Sequence, residues 1–169
     1  MKISMYQASV PVMIRMLGNL KGILDKAAAH AQAKKIDEAV LLNARLYPDM
    51  FPLTRQVQIA CDFARATAAR LAGREPLSLE DNEKSFAELV TRIERSIDFV
   101  RSIPDGEIDN SDGREIVRPV RGEPKKFTGV NYLLQFALPN FFFHATTAYA
   151  ILRHCGIDLG KTDYIGALD

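Results

Sequence analysis

The sequence predicts an all-α protein: a four-helix bundle with a short extra helix after the first long one, and a long connector holding a small β-hairpin before the last. Two observations carry this. Apolar residues recur at three- and four-residue steps through four long segments, as helices with one buried face require. Between the third and fourth segments, residues 104–129 lose that period and fill with turn signals. At 169 residues, 47% hydrophobic and 25% charged, the chain (1–169) reads as one domain with one buried core.

In the first helix Val10, Met13, Leu17, Leu20 and Leu24 form one stripe. Ser4 is its expected N-cap, Pro11 bends it or marks its true start, and it fades at Lys34 and Lys35. Ile36 to Leu46 reads as the short extra helix, with Val40, Leu41 and Ala44 on one side. Tyr47-Pro48-Asp49 breaks it, because the residue before a proline avoids the α region. The second long helix runs from about Pro52 to Ala72, with Asp49 as a candidate cap and Gly73 at its end. Leu53, Val57, Ala60, Ala64 and Leu71 make its stripe, and Gln56, Ile59 and Phe63 lie beside it. Its many alanines imply close approach of another helix.

The third helix is expected to open at Ser78 and Asp81, which have capping-box spacing. It carries Phe86, Leu89, Ile93, Ile97 and Val100 inward, and Pro104 stops it. In the connector, Glu115–Val120 and Lys125–Thr128 are expected to pair as a hairpin around Gly122-Glu123-Pro124. Ile116, Val117, Val120 and Phe127 would anchor it. The fourth helix spans about Val130 to His154. Pro139 breaks its hydrogen bonding and sets a kink or a junction of two abutting helices, and Gly156 closes it. The tail docks through Tyr164 and Ile165.

Lys+Arg and Asp+Glu number 22 and 21, so no field favours a polyanion and nucleic acid is excluded as a partner. No run reaches the roughly 18 apolar residues of a membrane span. Met1 to Leu24, broken by Lys2, Pro11, Arg15 and Lys21, does not read as a signal peptide. Cys61 and Cys155, without CxxC spacing, read as reduced, packed thiols. The expectation is a cytoplasmic chain without a membrane or nucleic-acid partner.

The stretch Leu46-Tyr47-Pro48-Asp49-Met50-Phe51-Pro52-Leu53 with Gln56-Val57 carries a resemblance. So do Phe143-His144-Ala145-Thr146-Thr147-Ala148-Tyr149-Ala150-Ile151-Leu152-Arg153 and Gly160-Lys161-Thr162-Asp163-Tyr164. Together they resemble a bacterial and fungal family of unknown function related to the DinB/YfiT-like superfamily of four-helix bundles. The resemblance covers essentially the whole chain. It implies a homodimeric bundle with a divalent metal, often nickel or zinc, held by one histidine on the second helix and two on the fourth. It also implies that some relatives are thiol-dependent transferases or isomerases. Aligning Leu152-Arg153 with the superfamily's Leu-Arg pair puts His144 on the second helix-four histidine. Asn140 then falls on the first, and Gln56 on the helix-two histidine.

The candidate site is therefore Gln56, Asn140 and His144, with Asp49 either a helper or a plain helix cap. Neutral amide oxygens are weak ligands for nickel or zinc. His144 has three readings: a core histidine bonded to Gln56, Asn140 or water, a metal ligand, or a general acid/base. Two functions follow. One is a homodimer with a degenerate metal site that holds water or a small ligand and needs no cofactor. The other is a divalent-metal- or thiol-dependent transferase or hydrolase-type enzyme using His144. Tyr132 and Tyr149 line either a pocket or the core. Phe141, Phe142 and Phe143 point around their helix, so a dimer interface or a flap is expected to cover some of them. His30 and His154 read as incidental. Adjacent helical residues point about 100° apart, which also dismisses His154-Cys155 as a catalytic pair.

Overall fold

A computed structural model describes residues 3–120 and 122–167. Its four long helices are α1 (Val10–Lys34), α3 (Leu53–Leu71), α4 (Phe86–Arg101) and α7 (Leu138–His154). Shorter elements are α2 (Glu38–Leu42), α5 (Asp105–Ile108), β1 (Glu115–Val120), β2 (Glu123–Thr128), α6 (Gly129–Asn131) and α8 (Lys161–Ile165). Helix α1 packs on α4, α4 on α3, α3 on α7 and α7 on α1. The long helices thus surround one core in the order α1, α4, α3, α7. The predicted stripes meet there: Leu17, Leu20 and Leu24 of α1, Val57, Ala60 and Ala64 of α3, Leu89 and Ile93 of α4. The buried alanines of α3 allow close packing on its neighbours.

Several boundaries differ from expectation, each for a local reason. Helix α1 begins at Val10, so Pro11 marks its true start, where a missing N–H costs nothing. Ser4 caps a separate turn instead: its Oγ accepts from the Gln7 N–H at 3.2 Å, and Gln7 Oε1 accepts from the Ser4 N–H at 3.1 Å. At the other end Lys35 takes a left-handed conformation, φ 55°. Its N–H bonds to Gln32 O, and that of Ile36 to Ala31 O, the Schellman closure. The short helix α2 spans five residues and is capped by Asp37. Leu41 and Leu42 are its buried pair, while Val40 is 63% exposed. Helix α4 opens at Ser85 rather than at Ser78, with Ser85 Oγ accepting from the Glu88 N–H. Residues 77–84 stay irregular because their carbonyls and carboxylates are taken by buried arginines.

The hairpin forms as expected in β1, but β2 begins at Glu123, so Glu123 and Pro124 lie in the strand. Successive strand residues face opposite sides. Ile116 is buried, so its neighbour Val117 is exposed. Ile116 pairs with Phe127, which packs on the core. Ahead of Pro139 the kink takes the form of a π-helical turn, Tyr132–Ala137. A wider turn accommodates the donor that proline lacks. The C-terminal segment docks through Tyr164, whose ring lies 5.8 Å from that of Tyr149.

Candidate functional site

Helices α3 and α7 pack directly against each other, and the candidate polar residues lie between them. Gln56 follows Leu53 by three residues and precedes Ala60 by four, so helical spacing puts it on the buried stripe. It is 1% exposed. Its Oε1 lies 2.7 Å from His144 Nδ1, and its Nε2 donates to the Phe51 carbonyl at 3.1 Å. The second bond fixes the amide orientation, so Oε1 accepts and His144 Nδ1 carries the proton. Nε2 of the neutral ring is then left with a free lone pair.

The ring is half-buried. It stacks on Phe63, centroids 6.1 Å apart at 18°, and meets the edge of Phe143 at 5.2 Å. Burial, with the nearby Arg55 charge, pushes its pKa below the ordinary histidine value. The site thus presents a neutral imidazole between aromatic rings, able to accept a hydrogen bond or a proton at Nε2.

Asn140 does not join this pair. Its Nδ2 donates to the Phe136 carbonyl at 2.7 Å, one turn upstream at the end of the π-helical turn. The proline-distorted backbone supplies an acceptor closer to hand than His144. Asp49 is exposed in the 47–50 turn and does not cap α3, whose N-cap is Pro52. The donor set does not fit a divalent transition metal. The Gln56 oxygen is committed to the imidazole, and Asn140, turned by its NH2 toward the Phe136 carbonyl, would offer only a neutral amide oxygen. Among the described residues no three His, Cys, Asp or Glu side chains lie where they could hold an ion. Tyr132 is fully buried and part of the core. Burial raises the pKa of both thiols, that of Cys61 to about 11, so neither is an activated nucleophile at neutral pH.

A second polar centre was not foreseen. Arg65 and Arg92 are each 2% exposed, between α3, α4 and the 77–84 segment. Arg92 donates to Glu83, Asp62, Asp81 and the Glu80 carbonyl at 2.7–2.9 Å. Arg65 donates to Asp62 and Ser96, both at 2.6 Å, and to the Leu77 carbonyl at 3.0 Å. Burial opposes the charge of Glu83, but hydrogen bonds from Arg92 and Gln58 outweigh it and hold its carboxyl below the ordinary range. The sequence signal was present: Arg65 follows Cys61 by four, and Arg92 follows Leu89 by three, so both lie on apolar stripes. Asp81, expected as a helix-capping residue, belongs to this network instead.

The family described as Domain of unknown function (DUF1993) matches residues 5–165. Among solved structures the chain is similar to a DinB family member protein from Shewanella denitrificans. The two are 43% identical with a TM-score of 0.91, over 96% of this chain and 92% of that one. None of the curated proteins compared with the chain matches it.

Proposed function

The chain belongs to the DUF1993 family, related to the DinB-like superfamily, and from that premise we propose a homodimeric small-molecule-binding protein whose metal centre has given way to an amide–imidazole pair. The observation that carries this is the full commitment of the Gln56 amide to His144 Nδ1 and the Phe51 carbonyl. An amide so engaged has no role as a co-ligand. Gln56 instead fixes the tautomer, and His144 offers Nε2 to water or to the donor group of a ligand lying between Phe63 and Phe143. No cofactor is required.

The enzyme reading has one observation in its favour. An Nδ1–H held by an oxygen leaves Nε2 as the Lewis base, the arrangement used by metal-bound and general-base histidines. Metal analysis of untagged protein and of His144→Ala separates the two. Equal background metal in both supports the degenerate site. Stoichiometric nickel or zinc lost in the variant overturns it.

Homodimerisation is supported by Phe143, 56% exposed on the helix that carries His144. Contiguous exposed apolar patches mark interaction surfaces, and a partner copy is proposed to cover Phe143. Light scattering showing only monomer across micromolar concentrations would contradict it.

A further inference from the structure

A cavity of about 390 Å³ opens between α3, the 76–81 segment and β1, lined among others by Phe63, Leu79, Arg65, Arg70, Asp81 and Arg118. We propose that it binds a small organic anion, with the carboxylate or phosphate group on Arg70 and Arg118 and the apolar body against Phe63 and Leu79. This site goes beyond the His144 reading and does not depend on it, since His144 is not among the residues that line the cavity.

The argument begins with charge. Asp62 and Asp81 are the cavity's two acids, and Glu83 lies behind them. All three are engaged by Arg55, Arg65 and Arg92. Three acids thus match three arginines, and none remains for Arg70 or Arg118. Among the described residues neither makes a salt bridge. Among them, the one side-chain hydrogen bond of Arg70 runs to the neutral Tyr132 hydroxyl at 3.1 Å.

Arg118 makes none among the described residues, and its Nε is buried without a partner there; Arg92 Nε is unpartnered too, but the rest of that guanidinium donates to three carboxylates and a carbonyl, whereas Arg118 has no such bond. A buried guanidinium nitrogen without an acceptor is costly, and native structures rarely leave one. The two guanidiniums are also near enough for the charge of Arg70 to add to burial in lowering the pKa of Arg118. An anion shared between them relieves both strains at once. Arginine's planar fork suits carboxylate and phosphate oxygens.

The remaining wall is apolar apart from Ser78. Phe63 lies 5.8 Å, centroid to centroid, from Phe136, which in turn contacts Phe127 of the hairpin. This joint holds β2, and through its pairing with β1 the strand that bears Arg118, beside the cavity. The volume lies within the range of roughly 300–1,000 Å³ usual for small-molecule sites. Together these features select an organic anion over a bare inorganic ion.

Isothermal titration of the full chain with phenylphosphate and with benzoate tests this, with inorganic phosphate and benzyl alcohol as the charge-only and ring-only probes. The expected result is saturable binding of at least one aromatic anion, one per chain, tighter than either partial probe. Arg70→Gln and Arg118→Gln should each weaken it by about tenfold or more. Arg153→Gln, an exposed change elsewhere, should leave it unchanged, and so should His144→Phe, which keeps a ring stacked on Phe63. The His144 control separates failure of this site from failure of the proposed function. Circular dichroism melts confirm that the variants fold, and Arg118→Lys supplies a milder change at the same place. No saturation at low-millimolar ligand would overturn the proposal. So would affinity unmoved by either cavity variant, an equal loss in Arg153→Gln, or phosphate binding as tightly as the aromatic anions.

Discussion

Replacing Gln56 with leucine tests whether the amide and the imidazole act as one unit. Leucine is close in size, so the 1%-exposed position gains no large cavity. What changes is hydrogen bonding. His144 Nδ1–H loses an acceptor at 2.7 Å, and the Phe51 carbonyl loses a donor at 3.1 Å. An unsatisfied buried polar group costs about 1–3 kcal/mol. The ring is half-buried and Phe51 itself is exposed, so water recovers part of this, and a loss of about 2 kcal/mol is expected. His144→Phe should cost a similar amount, because it orphans Gln56 Oε1 while keeping a ring stacked on Phe63. The double variant has neither polar partner, so the two losses should overlap by about 1–2 kcal/mol. Urea unfolding of all four proteins, followed by circular dichroism at constant m, gives the coupling. If the single losses add to within about 0.5 kcal/mol, the pair is not coupled and Gln56 does not position His144.

Three further outcomes are expected. The folded chain holds the His144 proton less tightly than the unfolded chain does. Its contribution to stability is therefore complete above the ordinary value of 6.5 and is lost as pH falls from there through the lower folded value. Melting curves from about pH 8 to about pH 5 should show this slope in wild type but not in His144→Phe, and identical slopes would refute it. Arg92→Met strips a buried counter-charge from Glu83, Asp62 and Asp81 and should cost about 3–5 kcal/mol in denaturant. A loss below about 1 kcal/mol would mean the network behaves like exposed ion pairs. Lys35→Gly relieves a left-handed residue, worth about 1–2 kcal/mol, against a backbone-entropy cost of about 0.5–1 kcal/mol. A modest rise in melting temperature should follow, and a fall would contradict the strain.

The four long helices were legible because a 3.6-residue period survives any detail of packing, as Met13, Leu17 and Leu24 or Leu89 and Ile93 illustrate. Their starts were less legible. Ser78-x-x-Asp81 and Ser85-x-x-Glu88 have equivalent spacing, and only the tertiary demand of Arg92 for Asp81 and the Glu80 carbonyl decides between them. The meeting of Gln56 with His144 could be argued from two polar residues on facing apolar stripes. The departure of Asn140 could not, because its competing acceptor, the Phe136 carbonyl, is placed by the π-helical turn rather than by any residue pattern. Arg65 and Arg92 went unread because arginine is ordinarily counted with the solvent face, even where its spacing puts it inside.

A ligand can meet only those polar groups that the fold leaves open, and this criterion ranks the polar centres of the chain. The Arg65–Arg92 network answers its charges internally: each carboxylate has a guanidinium, and each guanidinium has carboxylate or backbone acceptors, with only Arg92 Nε left unpartnered in it among the described residues. Its burial is thus explained by structure alone. The Gln56–His144 pair is closed on the Nδ1 side and open at Nε2, a neutral acceptor with no charge to attract an anion. Arg70 and Arg118 are open in the opposite sense, as cationic donors without carboxylates. Phe63 belongs to both surroundings, stacking on His144 with one set of contacts and lining the arginine cavity with another. Recognition at these centres therefore differs in kind: a hydrogen-bond donor or water at the imidazole, and an anion at the arginines. A metal ion suits neither, because it needs several basic ligands at one point and the fold has spent its amide oxygen on holding a single imidazole in place.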